Sequence, residues 1–277
     1  MRASSARAAS VFARAAGSYN RVGPRHFTAF ARRLVAYTGV RAGDRVLDVG
    51  AGTGEALLAA TARSGPRGWA VGVDLAPAML ARAAAALRAR GHAGARLCVM
   101  DAERLALGGG AFDVVLCAFA LSSIPRPEQA LREIRRVLRP GGRVGVVDTA
   151  AWYFQQDPRW RWHAEALRAA GVLPAAGAPA ADDRATLAGT LRRAGFTAVR
   201  ATETAVDLPF RDADEWWRWS WSHGSRRLFE AVPPGQLAGL KAELVRGLQG
   251  CRGADGRFHG TMRAAIVRGQ TPWGDEG

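Results

Sequence analysis

Apolar residues in the first half of the chain fall into short runs separated by polar and glycine-rich stretches, with helical periodicity in between. Arg45-Val46-Leu47-Asp48-Val49 is a short apolar strand that ends in the glycine turn Gly50 to Gly54, and Ala56 to Ala62 (ALLAATA) is helix-forming sequence. Gly68 to Asp74 (GWAVGVD), Arg96 to Met100 (RLCVM), Phe112 to Ala118 (FDVVLCA) and Arg143 to Asp148 read as four further buried strands. Between them, Met79 to Arg90, with Pro77 early in its first turn, and Pro127 to Leu138 read as helices, the latter followed by the tight turn Pro140-Gly141-Gly142. Strands alternating with helices predict an α/β fold built on a doubly wound, mostly parallel sheet. The ligand of such a sheet lies at the carboxyl ends of its strands.

The flanks read differently. His26 to Thr38 (HFTAFARRLVAYT) is a helix with Phe27, Phe30, Leu34 and Val35 on one face, ended by Gly39, and Gly43-Asp44 turns the chain into the first strand. Met1 to Gly17 is Ala/Arg/Ser-rich; it suits an amphipathic helix or a transit-peptide-like segment and lacks the apolar stretch of a secretory signal. The expectation is a frayed tail leading into a capping helix. Toward the other end, Arg184 to Ala194 reads as a helix and Ala198 to Thr204 as a strand, with Leu208 to Gly260 inserted before a last strand, Thr261 to Val267. The chain therefore divides into an N-terminal tail and cap (1–42), a binding core (43–150), an aromatic insertion returning to the core (151–204), a Trp-rich helical lid (205–260) and a final strand (261–277).

Composition adds limits. The 277 residues suffice for a large core without staples, and no apolar run approaches the roughly 20 residues of a membrane span. Cys98, Cys117 and Cys251 are scattered without a C-x-x-C pair, which indicates neither a disulfide framework nor a zinc site and suits a reducing cytoplasm. The net charge of +15 resembles a nucleic-acid signal. Yet all but Lys241 of the 39 basic residues are arginines spread along an alanine-rich chain, so the expectation is a solvated surface without nucleic acid as partner.

The glycine turn carries the candidate chemistry. A strand, glycine turn and helix present backbone N–H groups and a helix N-terminus to a polar ligand. The spacing is Gly50-x-Gly52-x-Gly54 with Glu55 where a dinucleotide fingerprint has its third glycine, and no P-loop G-K-[ST] follows. Asp48 and Glu55 flank the turn, and acids suit a ligand with an amino group or positive charge better than a pyrophosphate. S-adenosylmethionine, a sulfonium with an α-amino group, fits better than NAD. Asp74, about 20 residues on, stands where an acid accepts ribose hydroxyls, which both cofactors possess.

Five motifs then occur in order: Asp48-Val49-Gly50-Ala51-Gly52-Thr53-Gly54, Gly72-Val73-Asp74-Leu75-Ala76-Pro77-Ala78-Met79-Leu80, Met100-Asp101-Ala102, Phe112-Asp113-Val114-Val115 and Leu138-Arg139-Pro140-Gly141-Gly142. This series resembles the class I S-adenosylmethionine-dependent methyltransferases of the small-molecule type related to the ubiquinone/menaquinone enzymes. The resemblance covers about residues 43 to 150. It implies a seven-stranded sheet whose last two strands pair antiparallel, with Gly50, Ala51 and Gly52 beside the methionine portion of the cofactor and Asp48 orienting the loop and the amino group. It further implies Asp74 on both ribose hydroxyls, Leu75 and Met79 packed on the adenine, Asp101 on the adenine amine, Ala102 giving a backbone N–H, and Ala118 facing the cofactor through its backbone. Met79 as a plain core residue and Asp101 as a helix N-cap are the structural alternatives.

Outside the cofactor motifs the signals are fewer. Strand four continues Cys117-Ala118-Phe119-Ala120-Leu121, which is not N-P-P-[YF], and Cys117 reads as a small buried hydrophobe. Trp216-Trp217-Arg218-Trp219-Ser220-Trp221-Ser222-His223 is either an aromatic lid over an apolar or planar acceptor or a helix docking its tryptophans; a membrane-facing patch is a third reading. His223 and Tyr19 are the candidate catalytic residues, with His163, His259 and Asp148 as other titratable groups near the acceptor region. No metal-ligand cluster is visible. The expected function is a cytoplasmic methyltransferase acting on a small aromatic or lipophilic molecule. Its rivals are an RNA-modifying or RNA-binding protein, and a non-catalytic relative.

Overall fold

The computed structural model describes residues 3–92, 94–149, 158–173 and 183–273. Trp152-Tyr153-Phe154 and the Ala/Gly/Pro-rich loop after residue 173 lie outside the described residues. Two helices, α1 (Ala3–Ala15) and α2 (His26–Thr38), precede β1 (Arg45–Val49), α3 (Glu55–Ser64), β2 (Trp69–Asp74), α4 (Pro77–Arg88), β3 (Arg96–Val99), β4 (Phe112–Ala118), α5 (Pro127–Val137) and β5 (Leu138–Asp148). Then come α6 (Arg161–Ala169), α7 (Asp183–Arg193), β6 (Thr197–Phe210), α8 (Ala213–Ser220), α9 (Arg226–Glu230), α10 (Pro234–Leu248) and β7 (Phe258–Gln270). The seven strands form one sheet in the order β3-β2-β1-β4-β5-β7-β6. β1 to β5 pair parallel, and β7 runs antiparallel between β5 and β6.

Both sheet faces are covered, which explains why the central strands read as nearly continuous apolar runs. Val46, Val114 and Leu116 pack with Phe30 and Leu34 of α2 and Leu57 and Ala60 of α3. Leu47, Val49 and Val115 point the other way, onto Leu131 and Ile134 of α5 and Leu191 of α7. At the amino edge of the strands Asp113 of β4 binds Arg45 of β1 at 2.9 Å and Arg139 of β5 at 2.6 Å. Partial burial opposes its ionisation, but the Arg45 hydrogen bonds outweigh that and hold its carboxyl well below the usual range.

Three boundaries differ from expectation. The tail expected to fray is helical from Ala3, because Ala15 and Ala16 are buried and Phe12 packs with Met79 of α4 and with Ala76 just before it. β5 starts at Leu138, and the Pro140–Gly142 turn bulges out of it where the register jumps from Leu138 to Arg143. β6 and β7 continue past the sheet as one long hairpin, paired as far as Phe210 and Phe258. Pro209 is tolerated there because β6 is the edge strand, where a missing N–H costs no ladder bond.

The insertion is shorter than the sequence suggested and its tryptophans are mostly docking residues. Asp212 caps α8 by accepting the Glu215 amide at 2.7 Å. Trp216 and Trp219 are fully buried: Trp219 meets Phe210 edge-on at 5.0 Å, and Trp216 lies 5.5 Å from the ring of His163. Trp217 and Trp221, on the other face, close over Phe229 of α9. Among the described residues no helix is long and apolar enough to cross a membrane.

Candidate functional site

The glycine turn is pinned to the neighbouring strand. Gly50 and Ala51 both donate to the Val73 carbonyl, at 2.8 and 2.9 Å, and Gly54 closes the turn on Ala51 at 2.8 Å. Gly50 has φ +71°, and a Cβ there would come within 2.3 Å of the Ala120 methyl, so only glycine fits. Asp74, ending β2, accepts from the Gly52 amide at 2.9 Å and from the Ala76 amide at 2.8 Å, locking the turn to the start of α4. Desolvation raises its pKa, and those amides oppose the rise.

These elements enclose a cleft of about 750 Å³, counting its open mouth, at the carboxyl ends of β1, β2 and β4. Asp74, Leu75, Met79, Asp101, Ala102 and Ala118 line it together with Gly50 and Gly52. A deeper recess that shares Gly50, Gly52 and Ala118 adds Asp48 and Ala51. All ten residues expected at a cofactor thus line two adjoining pockets that share Gly50, Gly52 and Ala118. Met79 is buried and still part of the wall. Asp101 accepts the Glu103 amide at 2.9 Å in a local turn with no helix behind it, and this occupies one carboxylate oxygen.

Asp48 is the unusual group. It is fully buried, and neither carboxylate oxygen has a well-aligned hydrogen-bond partner among the described residues; the Leu57 backbone amide is close enough only to favour its ionised form somewhat. Burial pushes its pKa up to about 7; the Leu57 backbone amide opposes the rise, and the nearby charges of Glu55 and Asp74 add to it. Glu55, in the first turn of α3, is held by the Thr53 hydroxyl at 2.7 Å and by the Asn20 amide at 3.0 Å. In a chain of net charge +15 this cleft gathers Asp48, Glu55, Asp74 and Asp101. A buried, unpartnered carboxylate is costly until a cation meets it. The recess therefore fits a ligand with an ammonium and a sulfonium, and the glycine floor leaves room for it.

An aromatic wall faces these acids. Tyr19 stacks on Phe27 at 4.9 Å, and Phe119 meets both Phe27 and Phe30 edge-on at 5.2 Å. Phe119 sits at φ +53°, a conformation that costs of order 1–3 kcal/mol for a non-glycine residue. It is held there by its amide on the Val147 carbonyl at 2.8 Å. Phe12 of α1 lines the mouth. Sequence reading placed neither Phe119 nor Phe12 in the site. Phe119 follows strand four directly, but a left-handed phenylalanine leaves no pattern.

The two candidate catalytic residues part company. Tyr19 lines the cleft and the recess; burial, then the charges of Glu55, Asp74 and Asp148, push its phenol pKa up, so the hydroxyl stays protonated. His223 lines neither. It lies behind Phe27, 4.4 Å from the Trp219 ring, with Nε2 3.1 Å from the Ser225 hydroxyl. Burial, with His26 adding to it, lowers its pKa to about 3, so the ring is neutral.

The other titratable groups lie elsewhere. His163 is buried among Trp160, Trp162 and Trp216, and burial takes its pKa to about 3. His259 bridges Asp207 and Asp255 away from the cleft. Asp148 accepts from the Ser122 amide and hydroxyl, both at 2.9 Å, beside a separate pocket under α7. Cys117 is fully buried, and desolvation drives its thiol pKa up, as a small apolar filler requires. Among the described residues no three His, Cys, Asp or Glu side chains converge as a metal site.

Comparison with known proteins decides the family. The methyltransferase domain family matches residues 47–146. Nocamycin O-methyltransferase of Saccharothrix syringae is 33% identical over 94% of this chain and 97% of its own. The chain belongs to the S-adenosylmethionine-dependent methyltransferases. The C-methyltransferase UbiE of ubiquinone/menaquinone biosynthesis from Azotobacter vinelandii is 40% identical, but over only 42% of this chain and 47% of its own. The YcgJ protein of Bacillus subtilis shares the fold, with a TM-score of 0.58, 21% identity and coverage of 91% of this chain and all of that one. The methyltransferase is thus an enzyme of the small-molecule class I type, and S-adenosylmethionine is its cofactor.

Proposed function

We propose that this methyltransferase transfers the methyl group to an oxygen atom of a small aromatic or lipophilic molecule in the cytoplasm. The observation that carries this reading is the pairing of the acid-lined recess, with its unpartnered Asp48, and the aromatic wall of Tyr19, Phe27 and Phe119. Oxygen is favoured because the relative that matches nearly end to end is named an O-methyltransferase, whereas the C-methyltransferase match covers less than half of either chain.

S-adenosylmethionine supplies a methyl group already activated on a sulfonium. The protein's own part is positioning and exclusion of water. Asp74 would receive the ribose hydroxyls on oxygens oriented by the Gly52 and Ala76 amides. Asp48 would take the ammonium end, with Gly50 to Gly52 giving close backbone approach, while Leu75 and Met79 would flank the adenine and Asp101 and Ala102 would read its edge. Ala118 and Phe119 would close the cofactor from the β4 side. The Tyr19 phenol, kept protonated, serves as a donor and wall rather than as a base. His223, behind Phe27, positions that ring, so an acceptor oxygen that is already acidic suits the site best. The free thiols of Cys98, Cys117 and Cys251 support a reducing compartment.

The test is transfer of labelled methyl from the cofactor into a small-molecule extract and, separately, into an RNA pool. Label in small molecules, lost on ester or ether cleavage, is the expected result. Label in RNA alone, or on carbon, would overturn the reading.

A further inference from the structure

On the far side of Tyr19 a second concavity opens between α2, α3 and α4. It encloses about 1590 Å³ of empty space counting its mouth, against about 750 Å³ for the donor cleft. Six arginines from four parts of the chain converge on it: Arg21 and Arg25 before α2, Arg32 of α2, Arg63 of α3, and Arg82 of α4 with Arg90 in the turn just after it. All six are exposed, and none pairs with a carboxylate among the described residues; the hydrogen bonds of Arg63 and Arg90 go to the Val40 and Ala86 carbonyls.

This is more than the chain's arginine-rich composition. Elsewhere some arginines are matched with acids, as in Arg14–Glu230, Arg126–Glu103, Arg143–Asp44 and Arg211–Glu215, and others bond to neutral neighbours on their own helix, as Arg132 does to Gln129 and Arg193 to Thr190; what sets this wall apart is six guanidinium groups from four parts of the chain facing one concavity. On this wall the acid is Glu55, already engaged by Thr53 and Asn20. Ala59 and Ala62 of α3 and Ala85 and Ala86 of α4 give the concavity an apolar lining beside the guanidinium groups. A concave, low-dielectric surface carrying one sign of charge focuses its field on the space it encloses. Guanidinium forks suit phosphate and carboxylate oxygens, which they can bind in bidentate fashion.

We propose that this groove binds a small multivalent oxyanion, a phosphorylated or polycarboxylate molecule whose flat or aliphatic body lies on the alanine lining. The arginines gather around one concavity rather than along an extended stripe, as a nucleic-acid strand would need. The ligand is held by positive charge, whereas the methyl donor on the other side of Tyr19 is held by negative charge. The two sites therefore reject one another's ligands.

The test is calorimetric titration of inorganic tripolyphosphate into the full chain at low salt. One binding event is expected. The variant Arg32→Ala/Arg63→Ala/Arg82→Ala should weaken it by roughly tenfold or more, as three charge-assisted contacts are lost. Arg132→Ala/Arg192→Ala/Arg193→Ala removes the same charge from α5 and α7 on the opposite face of the sheet and should leave binding unchanged. Thermal melts check that both variants fold, and lysine in place of the three groove arginines should give intermediate affinity. Absence of binding, equal weakening by both triple variants, or a groove that takes single-stranded RNA but not tripolyphosphate would each overturn the proposal.

Discussion

The donor cleft and the aromatic shell behind it are neighbours built by different means. The cleft is made of backbone and short acids at the ends of three strands in two successive βαβ units: Asp48, Gly50, Gly52, Asp74 and Asp101. The shell is made of large side chains drawn from distant segments, with Phe12, Tyr19 and Phe27 from the start of the chain, Phe119 from the middle, and Trp219 and His223 from the insertion. The cleft holds groups whose ionisation depends on what binds; the shell holds neutral groups whose value is volume. Substitutions in the part of the shell that does not line the cleft, at Trp219 and His223, should therefore act on stability, and those in the cleft on ligand affinity.

The largest effect should come from the shell. Trp219→Ala removes a fully buried indole between Phe210, His26 and His223 and should destabilise the fold by about 3–5 kcal/mol, read as a fall in Tm or in the urea midpoint. A Trp219 variant that melts like the parent but loses donor affinity would break the distinction. Next, Asp74→Ala removes two prospective charge-assisted hydrogen bonds and should weaken donor binding by about 3 kcal/mol, on the order of a hundredfold. Calorimetry measures it, with circular dichroism checking that the turn survives loss of the Gly52 and Ala76 contacts.

Asp48 gives a pH signature that the shell cannot. Its pKa near 7 in the free chain lies above the unfolded value, so the folded chain holds the proton more tightly. Its stability contribution is present at low pH and is lost as pH rises from about 4 through about 7. Donor binding needs the carboxylate, so affinity should increase up to about pH 7 and then level off. Asp48→Asn should raise the Tm of the free chain at about pH 8 while weakening the donor and flattening its pH profile. The smallest effect concerns the latch that joins α1 to α9. Arg14 and Arg226 hold the Glu230 carboxyl down at about 2, a contribution present above about pH 4.3 and fading as pH falls toward 2. Because the pair is partly exposed, Arg14→Ala should cost only about 0.5–1 kcal/mol, visible in chemical denaturation.

The same contrast sets what was legible in the sequence. Strand, turn and acid at the ends of β1, β2 and β3 are local features, and the residues named there all reach the cleft. The hairpin of β6 and β7 was read short because Pro209 breaks a strand pattern everywhere except at an edge, and edge position is a property of the whole sheet. The order of α1 is not legible because its residues suit an amphipathic helix and a transit-peptide-like tail alike, and only the packing of Phe12 on Met79 decides between them. Residue type and a place beside the Trp-rich stretch single out His223, and only the fold shows Phe27 standing between it and the cleft.

The account rests on the acidic recess holding S-adenosylmethionine. Calorimetric titration of that cofactor, with NAD in parallel, tests this most directly. One equivalent of S-adenosylmethionine should bind, with affinity rising from about pH 6 to about pH 7, and NAD should give no heat. Preference for NAD, or donor binding unaffected by Asp48→Asn and Asp74→Ala together, would contradict it.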